Sequence, residues 1–290
     1  MVAIVEPNFI NTKIAEPGNG TEKINRRQKM KRKILITIIV IFCSNQTFGL
    51  DLMGPTSSEL TGVGQFHASI NYIWNELDID ADGIPEIGLS STTIKNVEIE
   101  KFYANFGMGM GKDSELFFIV GAAKAKPDKH DNDDNIAGYI GASDENLLLG
   151  IGAKINFYKT ANCKWGVLTQ MSWTDFDFDG KSYTLDGYNL DVSADIEVFE
   201  VQVAIGPSYK LNPNVLLYGG PFLHFLNGDV ELKGSIDGIS GGVETDIEED
   251  SIFGGYIGTS IELAKNTNIN FEFQLTGAGQ GVGVSLRHRF

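Results

Sequence analysis

The residues whose spacing most resembles a working site are carboxylates. In TDFDFDGKSYTLDG, residues 174–187, Asp175, Asp177, Asp179, Gly180 and Asp186 fall at positions 1, 3, 5, 6 and 12 of an EF-hand-type loop, with Asp where the closing bidentate Glu is usual. LDIDADGIPE, residues 77–86, repeats the opening: Asp78, Asp80, Asp82 and Gly83 fit, Glu86 stands at position 9, and Leu89 occupies the place of the last ligand. Neither stretch has helical flanks. Each continues the alternation of a preceding strand, and period two alone sets carboxylates at i, i+2 and i+4. Two expectations follow: solvated acidic strand tips, or a weak calcium site with a Kd on the order of 10⁻⁴ to 10⁻³ M that orders the outer loops.

Other reactive side chains are few. The histidines are His67, His130, His224 and His288, and the cysteines are Cys43 and Cys163, which supply neither a disulfide framework nor a metal cluster. His67 and Ser69 share a strand face two residues apart, which is not a nucleophile, base and orienting group. An enzyme on the rim of the fold is therefore a reading without a constellation behind it.

Charge divides the chain. The net charge of −15 leaves −20 on residues 50–290, because residues 1–49 hold 8 Lys+Arg against 3 Asp+Glu. So acidic a body repels nucleic-acid phosphates. Arg26, Arg27, Lys29, Lys31, Arg32 and Lys33 precede the apolar run Ile34–Phe42, and small or polar residues continue to Gly49. This is the pattern of a secretory signal peptide, since a spanning helix needs about 20 apolar residues. The expected organisation is an upstream extension at 1–29, a signal peptide at 30–49 cleaved near Gly49, and one domain at 50–290.

Past Leu50 the recurring period is two. Trp165, Val167, Thr169, Met171 and Trp173 share one face, and Ile269, Phe271, Phe273 and Leu275 another, with Asn268, Asn270, Glu272, Gln274 and Thr276 opposite the latter. Ten segments alternate in this way, at about 63–77, 93–110, 114–126, 146–158, 163–178, 194–210, 214–232, 249–263, 267–277 and 279–290. Short turns such as GKDS and LNPN alternate with long acidic or Gly-rich connections at 78–92, 127–145, 179–193 and 233–248. The expectation is all-β: a closed antiparallel up-and-down transmembrane barrel of about ten strands, with eight or twelve if one hairpin is miscounted. A soluble sandwich would seldom elaborate one rim alone.

The chain ends VGVSLRHRF, with Phe290 terminal and Leu286, Val284 and Val282 at alternate positions before it; His288 stands where an aromatic or apolar residue is usual. This resembles the C-terminal assembly signal of bacterial outer-membrane β-barrel proteins, such as small barrels of the OmpA/OmpX or opacity type. The resemblance implies an outer-membrane lipid environment, periplasmic termini and recognition by the barrel-assembly machinery.

The alternation assigns Gln65, His67, Asn71, Lys101, Tyr103, Asn105, Lys154, Asn156, Gln170, Glu200, Gln202, Glu262, Glu272, Gln274, Arg287 and Arg289 to the lumen. Lys154, Glu200, Glu272 and Arg287 are its principal charges. Ten strands enclose little more than side chains fill. The expected protein is thus a structural or surface-interaction barrel with a largely filled lumen and acidic outer loops, without a cofactor beyond weak calcium. The alternative is a narrow, porin-like channel for ions or small solutes.

Overall fold

The computed structural model describes residues 50–60, 62–81, 92–127, 142–185, 188–236, 239–248, 253–277 and 279–290, all within one compact unit, Asn45–Phe290. They form strands β1 (Phe66–Ala81), β2 (Thr92–Gly109), β3 (Ser114–Pro127), β4 (Asn146–Lys159), β5 (Cys163–Leu185) and β6 (Tyr188–Asn212). The remainder are β7 (Val215–Ile236), β8 (Ile239–Glu248), β9 (Phe253–Ala264), β10 (Thr267–Thr276) and β11 (Gly279–Arg289). Neighbours pair antiparallel, and β11 pairs with β1 to close the sheet. β7 pairs with β9 through Val215–Leu223 and with β8 through Asn227–Ile236, so β8 and β9 share one position and the barrel has ten. Above the short β10–β11 hairpin, β8 reaches β1 at Asp80↔Glu248 and Ala81↔Ile247. Closure leaves no unpaired edge for lipid to face.

Two connections expected to be long are mostly strand. β5 continues to Leu185 and β6 begins at Tyr188, while β7 continues to Ile236 and β8 begins at Ile239. Sequence alternation was hidden there by Gly and Asp residues, which disfavour strands in isolation but are carried by pairing on both sides. Residues 82–91 and 128–141, the cores of the other two, lie outside the described residues.

The alternation changes sense along the strands. On β5 the outward row runs Trp165, Val167, Thr169, Met171, Trp173 and then Asp175 and Asp177, while the inward row runs Gly166, Leu168, Gln170, Ser172, Thr174 and then Phe176 and Phe178. β6 changes between outward Phe199 and Glu197, β7 between Phe225 and Asn227, and β2 between Phe102 and Glu100. Register aligns these points: Trp173↔Phe199, Asp175↔Glu197, Phe199↔Asn227 and Glu197↔Asp229. On one side of this level the wall is apolar outside and polar inside, as a lipid-embedded barrel requires. On the other it is acidic outside and apolar inside, as in a water-soluble sheet. Buried Phe176, Phe178, Val198, Val230, Ile99 and Leu148 form an apolar core in this extension. At this level the outward surface changes from apolar to acidic, and Trp173 sits on it with its indole N–H donating to Glu197 at 2.7 Å.

The closing seam carries the C-terminal pattern. Val282, Val284, Leu286, His288 and Phe290 line the outward face of β11, with Val284 opposite Tyr72 and Leu286 opposite Ile70. The Phe290 N–H donates to the Phe66 carbonyl at 2.9 Å. His288 packs edge-on against Phe290, ring centroids 4.8 Å apart, so the residue that departs from the usual pattern still contributes a ring to the lipid-facing row.

Candidate functional site

The barrel interior holds a segment of the chain that alternation did not place there. Residues 50–60, LDLMGPTSSEL, run without regular structure from mid-lumen to the short-turn rim, and fourteen long-range hydrogen bonds join them to inward residues or main chain of the wall. At the inner end Leu50 is 0% exposed, and its carbonyl accepts from Asn75 at 3.0 Å. Asp51 accepts from Lys101 at 3.1 Å and from the Ser172 hydroxyl at 2.6 Å. Lys101 also donates to both oxygens of Glu200, at 2.8 and 2.7 Å, and His224 Nε2 lies 3.6 Å from that carboxylate. A buried ammonium between two carboxylates, one from the wall and one from the segment, ties the two together where either charge alone would be costly.

The next turn is held through its main chain. Glu272 accepts from the Met53 and Gly54 N–H groups at 3.0 and 2.7 Å, and Lys154 donates to the Met53 and Pro55 carbonyls, both at 2.8 Å. Lys154 also lies 5.7 Å from the centre of the Phe117 ring, within cation–π range. Gly54 adopts φ +61°, which suits glycine. Thr56 then donates to the Gly206 carbonyl at 3.0 Å and Ser57 to Ser208 at 2.9 Å. The wall is cut away to admit these residues: a Cβ on Gly166 would lie 2.5 Å from the Thr56 oxygen, and one on Gly283 would lie 2.6 Å from Leu52 Cδ2.

Nearer the rim, His67 Nε2 and Glu115 meet at 2.7 Å, Ser58 reaches the same Glu115 at 3.3 Å, and Arg287 lies 3.6 Å from Glu59 and 3.7 Å from Glu115. Ser69 bonds Asn71 rather than His67, so these groups make no nucleophile–base pair. A cavity of about 20 Å³, room for a water molecule, lies between Gly54, Lys154 and Arg287. A second, of about 300 Å³, opens at the short-turn rim beside Lys164, Lys210, Arg289, Glu59 and Glu262.

Lys154, Glu200, Glu272 and Arg287 all point inward and are buried. Glu200 pairs across the lumen with Lys101 and Arg287 with Glu115, while Lys154 and Glu272 bind peptide groups of the segment. Glu115, Asp51 and Glu59 were missed. Glu115 begins a strand just after a turn, where alternation is not yet established. The signal for the segment was the small inward residues Gly166 and Gly283, which leave space that Thr56, Ser57 and Leu52 occupy.

The carboxylates of the calcium pattern stand otherwise. Asp175 and Asp177 are on the outward face of β5, with main chain in the ladder and Glu197 and Asp195 as register neighbours. Lys233 bonds Asp195 on the same surface. Asp78, Asp80 and Asp179 lie in strands β1 and β5, their side chains outside what is described, and Asp82 and Asp186 lie outside the described residues. Among the described residues no three His, Cys, Asp or Glu are grouped to hold a metal ion.

Residues 118–286, more than half of the chain, match the family model described as Outer membrane protein beta-barrel domain. The chain belongs to this family. Its setting is accordingly the bacterial outer membrane, and the apolar outward belt is its lipid-facing surface. Residues 50–60 precede the matched stretch. Among solved structures, this outer-membrane barrel is similar to the outer membrane protease OmpT from Escherichia coli, at 10% identity over 81% of this chain and 100% of that one, with a TM-score of 0.42. It is similar also to the translocator domain of the autotransporter NalP from Neisseria meningitidis, at 10% identity over 93% and 98%, TM-score 0.40. The attachment invasion locus protein Ail of Yersinia pestis matches at 15% identity over 79% and 99%, TM-score 0.28. No curated protein matches the chain.

Proposed function

We propose that this barrel is a closed, non-conducting outer-membrane protein with a structural and surface-interaction role, its lumen stoppered by residues 50–60. The observation that carries the reading is the grip on that segment: Asp51 in the Lys101–Glu200 group, and Met53 to Pro55 between Glu272 and Lys154. The apolar core of the extension supports it as a second seal. In this reading the signal peptide is removed, the termini and short turns face the periplasm, and the acidic outer wall of β5, β6 and β7 faces the medium and meets partners there. Chemistry on a bound substrate forms no part of it.

The polar middle section and its cavities favour a second reading, a narrow channel whose Lys154 and Glu272 set ion preference. Single-channel recording of the refolded chain from Leu50 onward, in a planar bilayer, tests both. Silence from protein whose unboiled gel mobility proves it folded is expected. Steady openings altered by Lys154→Met or Glu272→Gln would establish the channel instead.

A further inference from the structure

We propose that the interior is a blind cup for an extended peptide, and that residues 50–60 are its resident occupant. The proposal rests on the stoppered-lumen reading and names what the lumen is built to hold.

A lumen that only needs filling is filled most cheaply by apolar side chains, as the extension is by Phe176, Phe178 and Val230. The middle section does the reverse. It buries a carboxylate and an ammonium, and both address peptide groups: Glu272 takes two N–H donors, and Lys154 gives to two carbonyls. Gln274 donates to the Asp51 carbonyl at 2.9 Å, Asn75 to that of Leu50, and the Tyr103 hydroxyl accepts from the Leu52 N–H at 2.8 Å. From Leu50 to Pro55 the wall thus reads main chain, with side chains from β1, β2, β4 and β10. Recognition through main-chain groups holds an extended segment while tolerating changes in most of its side chains. Within Leu50–Pro55 one side chain is read as well, Asp51 by Lys101 and Ser172, which selects an acidic residue beside the inner end, while Thr56, Ser57, Ser58 and Glu59 meet the wall through side chains nearer the rim.

Among the described residues the cup has one mouth. The apolar core closes it beyond Leu50, while the 300 Å³ cavity beside Lys164, Lys210 and Arg289 leaves the short-turn end accessible. The ligand is therefore an extended polypeptide segment carrying an acidic residue near its leading end, entering from the short-turn side once the resident segment is displaced. The link between segment and barrel is suited to such exchange, since Val63 is 80% exposed and Gly64 sits at φ +84°.

The test begins with the full chain, folded with a protease site placed at Val63–Gln65 and then cut, so that the segment is held without a covalent tie. A fluorescent synthetic peptide of residues 50–60 is added and its anisotropy followed. Saturable uptake, competed by unlabelled peptide and retained when Leu52 and Met53 become other apolar residues, is expected. An N-methyl group on Gly54 of the peptide removes one donor to Glu272 without altering the barrel, and should weaken binding about tenfold, as should Asp51→Asn in the peptide. Equal uptake of a scrambled peptide, or a cut barrel that excludes excess peptide, overturns the proposal. The uncut chain's conductance reports separately on the stopper: silence without exchange removes the peptide cup and leaves the stopper, whereas conduction removes the stopper itself.

Discussion

The Glu272 carboxylate accepts the Gly54 N–H at 2.7 Å although 218 residues separate the two, and the same carboxylate takes the Met53 N–H. Replacing Glu272 with Leu would strand two buried donors, each worth more than a neutral hydrogen bond because the acceptor is charged. The expected loss is on the order of 3 kcal/mol. Glu272→Gln keeps one acceptor oxygen and should cost about half of that. Urea midpoints followed by unboiled gel mobility measure both, and equal midpoints for Leu and wild type would mean that this contact holds nothing.

Lys101 stands between Asp51 and Glu200 with no exposed surface. Lys101→Met leaves two buried carboxylates facing one another, a change expected to cost about 3–5 kcal/mol. Adding Glu200→Gln should recover a large part, since it removes one of the two charges. A double-mutant cycle without such recovery would place the coupling elsewhere.

The change of sense on β5 locates the bilayer surface between Met171 and Asp177. Spin labels on Met171→Cys and Asp177→Cys, in a Cys163→Ser background, should differ: the first accessible to oxygen in lipid, the second to a water-soluble nickel chelate. Similar profiles at both sites would sink this boundary.

Outside that boundary, Asp175 lies in a crowded acidic surface. Partial burial, then the charges of Asp177, Glu197 and Asp195, push its carboxyl above the ordinary carboxylate value. A carboxylate with a raised folded pKa contributes stability that is present below its unfolded pKa and lost as pH rises through the folded one. Asp175→Asn should therefore stabilise the barrel slightly near neutrality and have no effect once the medium is acid enough to protonate Asp175. The gain should shrink with added salt, because the site is exposed. Thermal melting against pH at two salt concentrations measures this; a gain that persists in acid would assign it to another cause.

What the sequence by itself determined is the wall. Period two over strands such as Cys163–Phe178 and Thr267–Thr276 sets which residues face out, because successive side chains on a strand must point to opposite faces. The lipid-facing row from Val282 to Phe290 was legible for the same reason. Tertiary structure alone decided what the wall encloses. LDLMGPTSSEL has no period, and its partners Lys154, Glu272 and Gln274 lie from about 100 to more than 200 residues away, so no local pattern announces it. The strand extensions had the same origin: beside Glu197 and Asp195, Asp175 and Asp177 take the outward face while Phe176 and Phe178 take the interior. Alternation states that two faces differ. Only closure and register establish which face meets lipid, which meets water and which meets residues 50–60.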